Sequence, residues 1–199
     1  VADRQPTPDA PLLLITGGVH GYETSGVQGA LQFIEQHFVR IQQQLAGRAN
    51  LLVLPCISPW GYETINRWNP QAIDPNRSFR VGSGSAEAEL ALQCVRGYQQ
   101  LCGSSLMHID LHETTDSDNS EFRPAKAARD GTINTNWNIP DGFYLVGDAA
   151  RPEPAFQAAI IQAVEQVTHI APADEQGCLI GEPLAQHGVV NYDKKALFL

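Results

Sequence analysis

The chain has 199 residues, with 13 Lys and Arg against 22 Asp and Glu, a formal net charge of −9, and 43% hydrophobic residues. The acidic balance argues against nucleic acid as the main partner, because a phosphate-binding domain carries a basic surplus, and the length and apolar content support a substantial core. No run approaches the roughly 18 to 20 apolar residues that span a bilayer, and the opening VADRQPTPDA lacks a charged-then-apolar signal layout.

Pro11 to Thr16 (PLLLIT) is a nearly continuous apolar run closed by Gly17-Gly18, the pattern of a strand buried on both faces in a parallel sheet. From Ser25 to about Leu45, apolar residues recur at helical spacing (Val27, Ala30, Leu31, Ile34, Phe38, Ile41, Leu45), which predicts one amphipathic helix. Asn50 to Ile57 is a second strand, ended by Ser58-Pro59 because proline cannot continue a central strand. Residues 58–85, rich in Pro, Gly, Asn and Ser, read as a long connection, and such connections tend to carry function. Ala86 to Cys102 returns to helical spacing, with Glu87 and Glu89 early, where the helix dipole favours acids, and Gly103 as the stop.

Leu106 to His112 is a third strand, residues 113–140 are polar and irregular, and Gly142 to Val146 is a fourth strand. Pro154 to Val167 is a helix with a proline-rich lead-in, His169 to Asp193 is loop-like, and Lys195 to Leu199 opens a new apolar stretch. No repeat, low-complexity tract or dividing linker interrupts the chain, so residues 1–199 read as one α/β domain with functional loops at its strand ends. Cys56, Cys94, Cys102 and Cys178 form no C-x-x-C pair and are too sparse for a disulfide scaffold. They read as reduced, mostly buried thiols, which points to a cytoplasmic setting.

The sharpest chemical feature is Gly17-Gly18-Val19-His20-Gly21-Tyr22-Glu23, an imidazole and a carboxylate three residues apart directly after a buried strand. One turn brings His20 and Glu23 to the same side, and a nitrogen and an oxygen ligand held so close suit Zn²⁺. The competing reading is a structural His beside a solvated Glu. On the third strand, His108, Asp110 and His112 alternate with Ile109 and Leu111 and share one face. Three polar residues on an otherwise buried strand are costly unless they are paired or bind something. His112, at the strand end, can join His20 and Glu23 as a third protein ligand, which leaves the fourth position of a catalytic zinc open. Asp110 can hold an imidazole in its metal-binding tautomer, while His108 reads as a hydrogen-bonded core or edge histidine. In the long connection, Asn66-Arg67 and Asp74-Pro75-Asn76-Arg77-Ser78-Phe79 offer arginines suited to grip a carboxylate or polarise a carbonyl. Ordinary surface arginines are the alternative there.

Together GGVHGYE, SPWGYETINRWNPQAIDPNRSF and HIDLHE, in that order from about Leu12 to Thr115, resemble the zinc carboxypeptidase family, the carboxypeptidase A type and its bacterial relatives. The resemblance implies a single α/β domain with a mixed, mostly parallel sheet sandwiched between helices, and one zinc ion held by His20, Glu23 and His112. By the family pattern Asn76 and Arg77 hold the substrate's terminal carboxylate, and Arg67 stabilises the oxyanion. Tyr192, in VVNYDKK, matches the family's substrate-binding tyrosine. The departures are Ser58 and Trp60 for the usual Asn and Asp, Pro75 for Leu, and Ser78 for Asn.

The family's general base is a glutamate on a strand near the end of the domain, where a carboxylate takes a proton from water and returns it to the leaving amine. Of the glutamates downstream of His112, Glu113 would point away from the ligands, Glu165 lies within a helix, and Glu182 stands before Pro183 in a loop. The resemblance therefore places the base, with a final strand and helix, beyond Leu199 and leaves it unassigned here.

The expected activity is zinc-dependent hydrolysis of a C-terminal peptide bond in a peptide or small amide carrying a free carboxylate. A second reading is the related succinylglutamate desuccinylase and aspartoacylase group, N-acyl amino acid deacylases whose D-L-H-x-T-T pattern Asp110 to Thr115 resembles. A third is a non-catalytic zinc-containing binding module.

Overall fold

The computed structural model describes residues Val1 to Tyr192, so the expected apolar stretch at Lys195 to Leu199 lies outside the described residues. The chain gathers into two compact units, one through Glu113 and one from Thr114 onward.

In chain order the first unit contains β1 (Leu12–Gly17), α1 (Thr24–Gln36), α2 (Phe38–Leu45), β2 (Asn50–Leu54), α3 (Pro59–Thr64), α4 (Ala86–Gln99) and β3 (Ser105–Leu111). The strands form a parallel sheet in the order β2-β1-β3. Because β1 is central, both of its faces need apolar cover, which is why its sequence hardly alternates. Leu12 and Leu14 pack on one side with Val19, Leu52, Ile57 and the Ala91, Leu92 and Val95 face of α4. Leu13 and Ile15 pack on the other side with Leu51, Val53, Ala30 and Phe38. The α/β class with parallel strands between helices is thus the observed one.

The single helix expected from Ser25 to Leu45 is two. His37 leaves helical geometry at φ −126° and turns Phe38 into the cluster with Ala30, Leu51 and Val53. The hydrogen-bond ladder nevertheless passes through the bend, from His37 N–H to Phe33 O and from Ile41 N–H to His37 O, so the apolar period continues across it. The second strand stops at Leu54 rather than Ile57, whose N–H bonds Gly17 O as part of a loop. The connection from 58 to 85 is not all loop. It holds α3, with Pro59 in its first turn and Ile65 in the left-handed region as its stop, and a 3-10 turn at Pro75–Arg77. Elements this short show no periodicity. The expected helix of Ala86 to Cys102 forms as far as Gln99, capped by Ser85, whose hydroxyl accepts from Ala88 N–H.

Two glycines shape the loop after β1. Gly18 takes φ +63°, a conformation that side chains disfavour. A Cβ on Gly21 would sit 1.8 Å from the Gly61 carbonyl carbon, so α3 packs directly on that backbone, joined by Gly21 N–H to Asn66 O.

The second unit contains α5 (Arg123–Asp130), β4 (Leu145–Asp148), α6 (Pro154–Val164), β5 (Cys178–Leu179), β6 (Glu182–Pro183) and β7 (Val189–Tyr192). The stretch 113–140, expected to be irregular, carries a wide π-type turn at Asp118–Phe122 and then α5, which has no buried residue and hence no apolar face to reveal it. The fourth strand lies a few residues later than expected, because its ladder is fixed by parallel pairing of Leu145 with Val189. The region 169–193, expected to be loop-like, holds β5 and β6 as an antiparallel pair, and β7. Ala171, Leu179 and Val190 form this unit's core cluster. Among the described residues no helix is long and apolar enough to cross a membrane, and all four cysteines are free; none of them is buried, contrary to the expectation, and Cys94 is exposed on α4.

The fully buried Leu14 fills the first cluster, so Leu14→Ala is expected to lower unfolding free energy by about 2–5 kcal/mol in urea titration. Leu31→Ala, at a site 50% exposed, should stay within about 0.5 kcal/mol of the parent.

Candidate metal centre

The loop that follows β1 and the end of β3 meet in the first unit. His20 and Glu23 are 2% and 3% exposed, while the His112 side chain keeps 32% of its surface open. One ligand atom from each of the three lies within 4.8 Å of the others. Glu23 is the centre of the group. Its Oε1 is 2.5 Å from His20 Nδ1, its Oε2 is 2.7 Å from His112 Nδ1, and Oε2 also accepts from Glu113 N–H at 3.0 Å.

The far nitrogen of each imidazole meets a second carboxylate. His112 Nε2 is 2.7 Å from Asp110 Oδ2, and His20 Nε2 is 3.1 Å from Asp74 Oδ1. Burial opposes ionisation of Asp110 and Asp74, but the histidines outweigh it and hold both below the usual carboxylate range, Asp74 at about 2 with help from Arg67 and Arg77. With a cation at Nδ1, the single proton of a neutral ring lies on Nε2, where an ionised aspartate accepts it. Glu23, which faces Nδ1 of both rings, is held well below the usual range by His112 and His20 despite its burial. Burial also opposes the charging of His112, yet Asp110 and Glu23 raise it well above the ordinary imidazole range. Two imidazole nitrogens and a carboxylate within 4.8 Å of one another, each ring held from behind by a carboxylate, make a donor set that suits a divalent cation. On that chemistry the residues fit a metal ion.

Arg67, expected to act on the reacting carbonyl, is only 4% exposed and sits beside this group. Its Nη1 donates to Tyr22 Oη at 2.7 Å and lies 3.8 Å from Glu23 Oε1, and its Nη2 donates to Asp74 Oδ2 at 3.3 Å. Asn76 and Arg77 stand on the 3-10 turn that Asp74 caps by accepting from Asn76 N–H at 2.9 Å. Arg77 is exposed, and Asn76 has a buried side-chain oxygen with no hydrogen-bond partner among the described residues. The Glu113 carboxylate accepts from the backbone N–H and hydroxyl of Ser25. Tyr192 ends β7 in the second unit, packed against the cluster of Ala171, Leu179 and Val190. Glu182 stands on β6 of that unit, and Glu165 pairs with His187.

Sequence reasoning missed Asp74, Tyr22 and Thr16. The signal for Asp74 was the D-P-N run, in which an aspartate's side chain bonds the backbone two residues on. His108 is hydrogen-bonded, as its core reading anticipated, to Thr16 at 2.8 Å.

A His-Glu-His group at the carboxyl ends of parallel strands in an α/β sheet is the kind of site that metal-dependent hydrolases use. The sequence matches the succinylglutamate desuccinylase/aspartoacylase catalytic domain over residues 9–134 of the chain, and the chain belongs to that family. Among solved structures it is similar to a candidate metallopeptidase from Shewanella denitrificans OS217, with 23% identity, TM-score 0.61, and coverage of 92% of this chain and 57% of that one. A second candidate metallopeptidase, from Shewanella amazonensis SB2B, gives 24% identity, TM-score 0.59, and coverage of 95% and 60%. A third, from Shewanella baltica OS155, gives 21%, 0.57, and 92% and 59%. At these identities the likeness speaks for the fold, and the chain spans 57 to 60% of the length of these structures. No curated protein matches the chain.

Asp74→Ala removes the acceptor behind His20. It is expected to weaken metal binding by about 10- to 100-fold, measured by competition with a chromogenic chelator on protein verified as folded.

Proposed function

We propose that this chain carries the zinc-binding part of an amide hydrolase acting on a small N-acyl amino acid, with His20, Glu23 and His112 as ligands of one zinc ion. The convergence of two imidazole nitrogens on the buried Glu23 carboxylate, each ring backed by its own aspartate, carries the reading. Zinc bound there would lower the pKa of a water molecule and polarise the amide carbonyl. The side chains supply the rest. Asp110 and Asp74 keep the Nδ1 lone pairs of the two rings directed inward. Arg67 keeps a fixed positive charge beside the ligands, where it favours negative charge that develops on the carbonyl oxygen. Arg77, with the Asn76 amide, grips the substrate carboxylate. From the second unit the reading takes Tyr192 as a further substrate-binding residue, on the sequence pattern alone. Both units are read as parts of one catalytic domain, and the proton-transferring base is not assigned to a described residue.

Family membership and the Asp110-Leu111-His112-Glu113-Thr114-Thr115 run support an N-acyl amino acid as substrate. The second reading, hydrolysis of a C-terminal peptide bond, is favoured by Ser58-Pro59-Trp60-Gly61-Tyr62-Glu63, the peptidase-like run that forms the start of α3 and packs on Gly21. A substrate panel with the intact gene product separates the two: succinyl-glutamate and acetyl-aspartate against blocked dipeptides. Deacylation that vanishes with chelator and returns with Zn²⁺ is the expected result. Absence of turnover on every substrate at full zinc occupancy would leave the non-catalytic binding module standing. Arg67→Ala should lower kcat by about 10²-fold or more, and an unchanged kcat would remove Arg67 from the proposed chemistry.

A further inference from the structure

Thr16 is the one polar side chain in the apolar run of β1, and it is fully buried. A buried hydroxyl is costly unless both its proton and its lone pairs are used. In the parallel pairing of β1 with β3, Thr16 stands opposite Asp110 and Leu14 opposite His108. Thr16 Oγ1 donates to Asp110 Oδ1 at 2.6 Å and lies 2.8 Å from His108 Nε2. Its only proton goes to the carboxylate, so the imidazole donates to it. The order of donation is therefore His108 Nε2–H to Thr16, Thr16 O–H to Asp110 Oδ1, and His112 Nε2–H to Asp110 Oδ2.

This divides the labour on Asp110. One oxygen holds the His112 ring and the other is held by Thr16, from a different strand. A carboxylate anchored at one oxygen can rotate about its χ2, while one anchored at both cannot do so without breaking a bond. The second anchor costs no mobile group, because Thr16 belongs to the central strand and its β-branched side chain has few rotamers. His108 in turn prevents the threonine hydroxyl from turning to another acceptor.

We infer that Thr16, backed by His108, is a positioning residue that fixes the Asp110 carboxylate and thereby sets the angle at which His112 offers Nδ1 to a metal ion. The inference rests on the reading of His20, Glu23 and His112 as ligands, and it adds an affinity determinant two hydrogen bonds removed from the ion. Removing a partner directly behind a ligand costs about 10- to 100-fold in metal affinity. Thr16 acts one step further out, so Thr16→Val is expected at the low end, about tenfold.

The test uses the intact gene product stripped of metal, with Zn²⁺ affinity read by chelator competition and ligand geometry read from the visible spectrum of Co²⁺ bound in place of zinc. Thr16→Val keeps the shape and removes the hydroxyl. It should weaken Zn²⁺ binding about tenfold and shift the Co²⁺ bands, and Thr16→Ser should restore both to within about twofold of the parent. A Thr16→Val protein with the parent's affinity and Co²⁺ spectrum overturns the inference, even if its thermal stability falls. If Thr16→Val does not fold, His108→Phe tests the same chain from the other end. A weaker affinity with shifted bands supports the inference, and parental values overturn it. Glu23→Ala is the separate control. If it keeps stoichiometric Zn²⁺, the ligand assignment itself fails. If it loses zinc while Thr16→Val is unaffected, the ligands stand and the positioning role falls.

Discussion

The structure of the first unit turns on one buried carboxylate. Glu23 is almost wholly removed from water, and an unpaired carboxylate in that position would cost several kcal/mol or would take up a proton. It stays ionised because two imidazole nitrogens, the Glu113 N–H and the Arg67 guanidinium surround it. Those groups come from three parts of the chain: the loop after β1, the end of β3 and the connection after α3. Moving any of these segments strands the carboxylate, so its ionisation and the closure of the loops are one requirement.

The charge inventory follows from that requirement. Glu23, Asp110 and Asp74 bring three negative charges into a small volume, against Arg67 and two rings whose outer protons are already committed to aspartates. Asp110 and Glu23 accordingly raise His112 well above the ordinary imidazole range, against the cost of its burial. With a dication the same three donor atoms become ligands and the surplus is neutralised. The two backing aspartates reach their rings by different routes. Asp110 uses the two-residue period of a strand and sits beside His112 at no extra cost in chain geometry. Asp74 has no such period to exploit and is brought to His20 by a capped turn.

That difference in route also decides what the sequence makes legible. His20 with Glu23 and Asp110 with His112 are local pairs, three and two residues apart, and their spacing states their geometry. Parallel strands buried on both faces are equally plain, since Leu12 to Ile15 carry apolar groups on each side. Asp74, Tyr22 and Thr16 acquire their roles only when the chain closes, and spacing does not mark a contact between residues separated by 45, 54 or 94 positions. The same holds for α3 and α5, one too short and the other too exposed to show an apolar period. The break at His37 was hidden for the opposite reason, because the apolar period outlasts the change of axis.

Two of the four departures from the peptidase pattern, Pro75 and Ser78, find their explanation in the turn that Asp74 caps, whereas Trp60 is exposed and has no structural explanation. Pro75, in the place of leucine, is buried at the first position of the 3-10 turn, where its fixed φ suits the geometry and its missing N–H is not needed. Ser78, in the place of asparagine, donates its hydroxyl to Asp74 O at 2.8 Å and closes the far end of that turn. Ser58 donates to Val19 O at 2.8 Å and ties the start of the connection to the loop carrying His20. Pro75, Ser78 and Ser58 each fix backbone. The consequence reaches the proposed substrate end, because Asp74 accepts from His20, from Arg67 and from the Asn76 N–H at once. One side chain thus sets the orientation of a ligand ring, a guanidinium and the turn bearing Asn76 and Arg77. In the proposed site Asp74 couples the His20 ring to the turn bearing Asn76 and Arg77, a turn closed at its far end by Ser78.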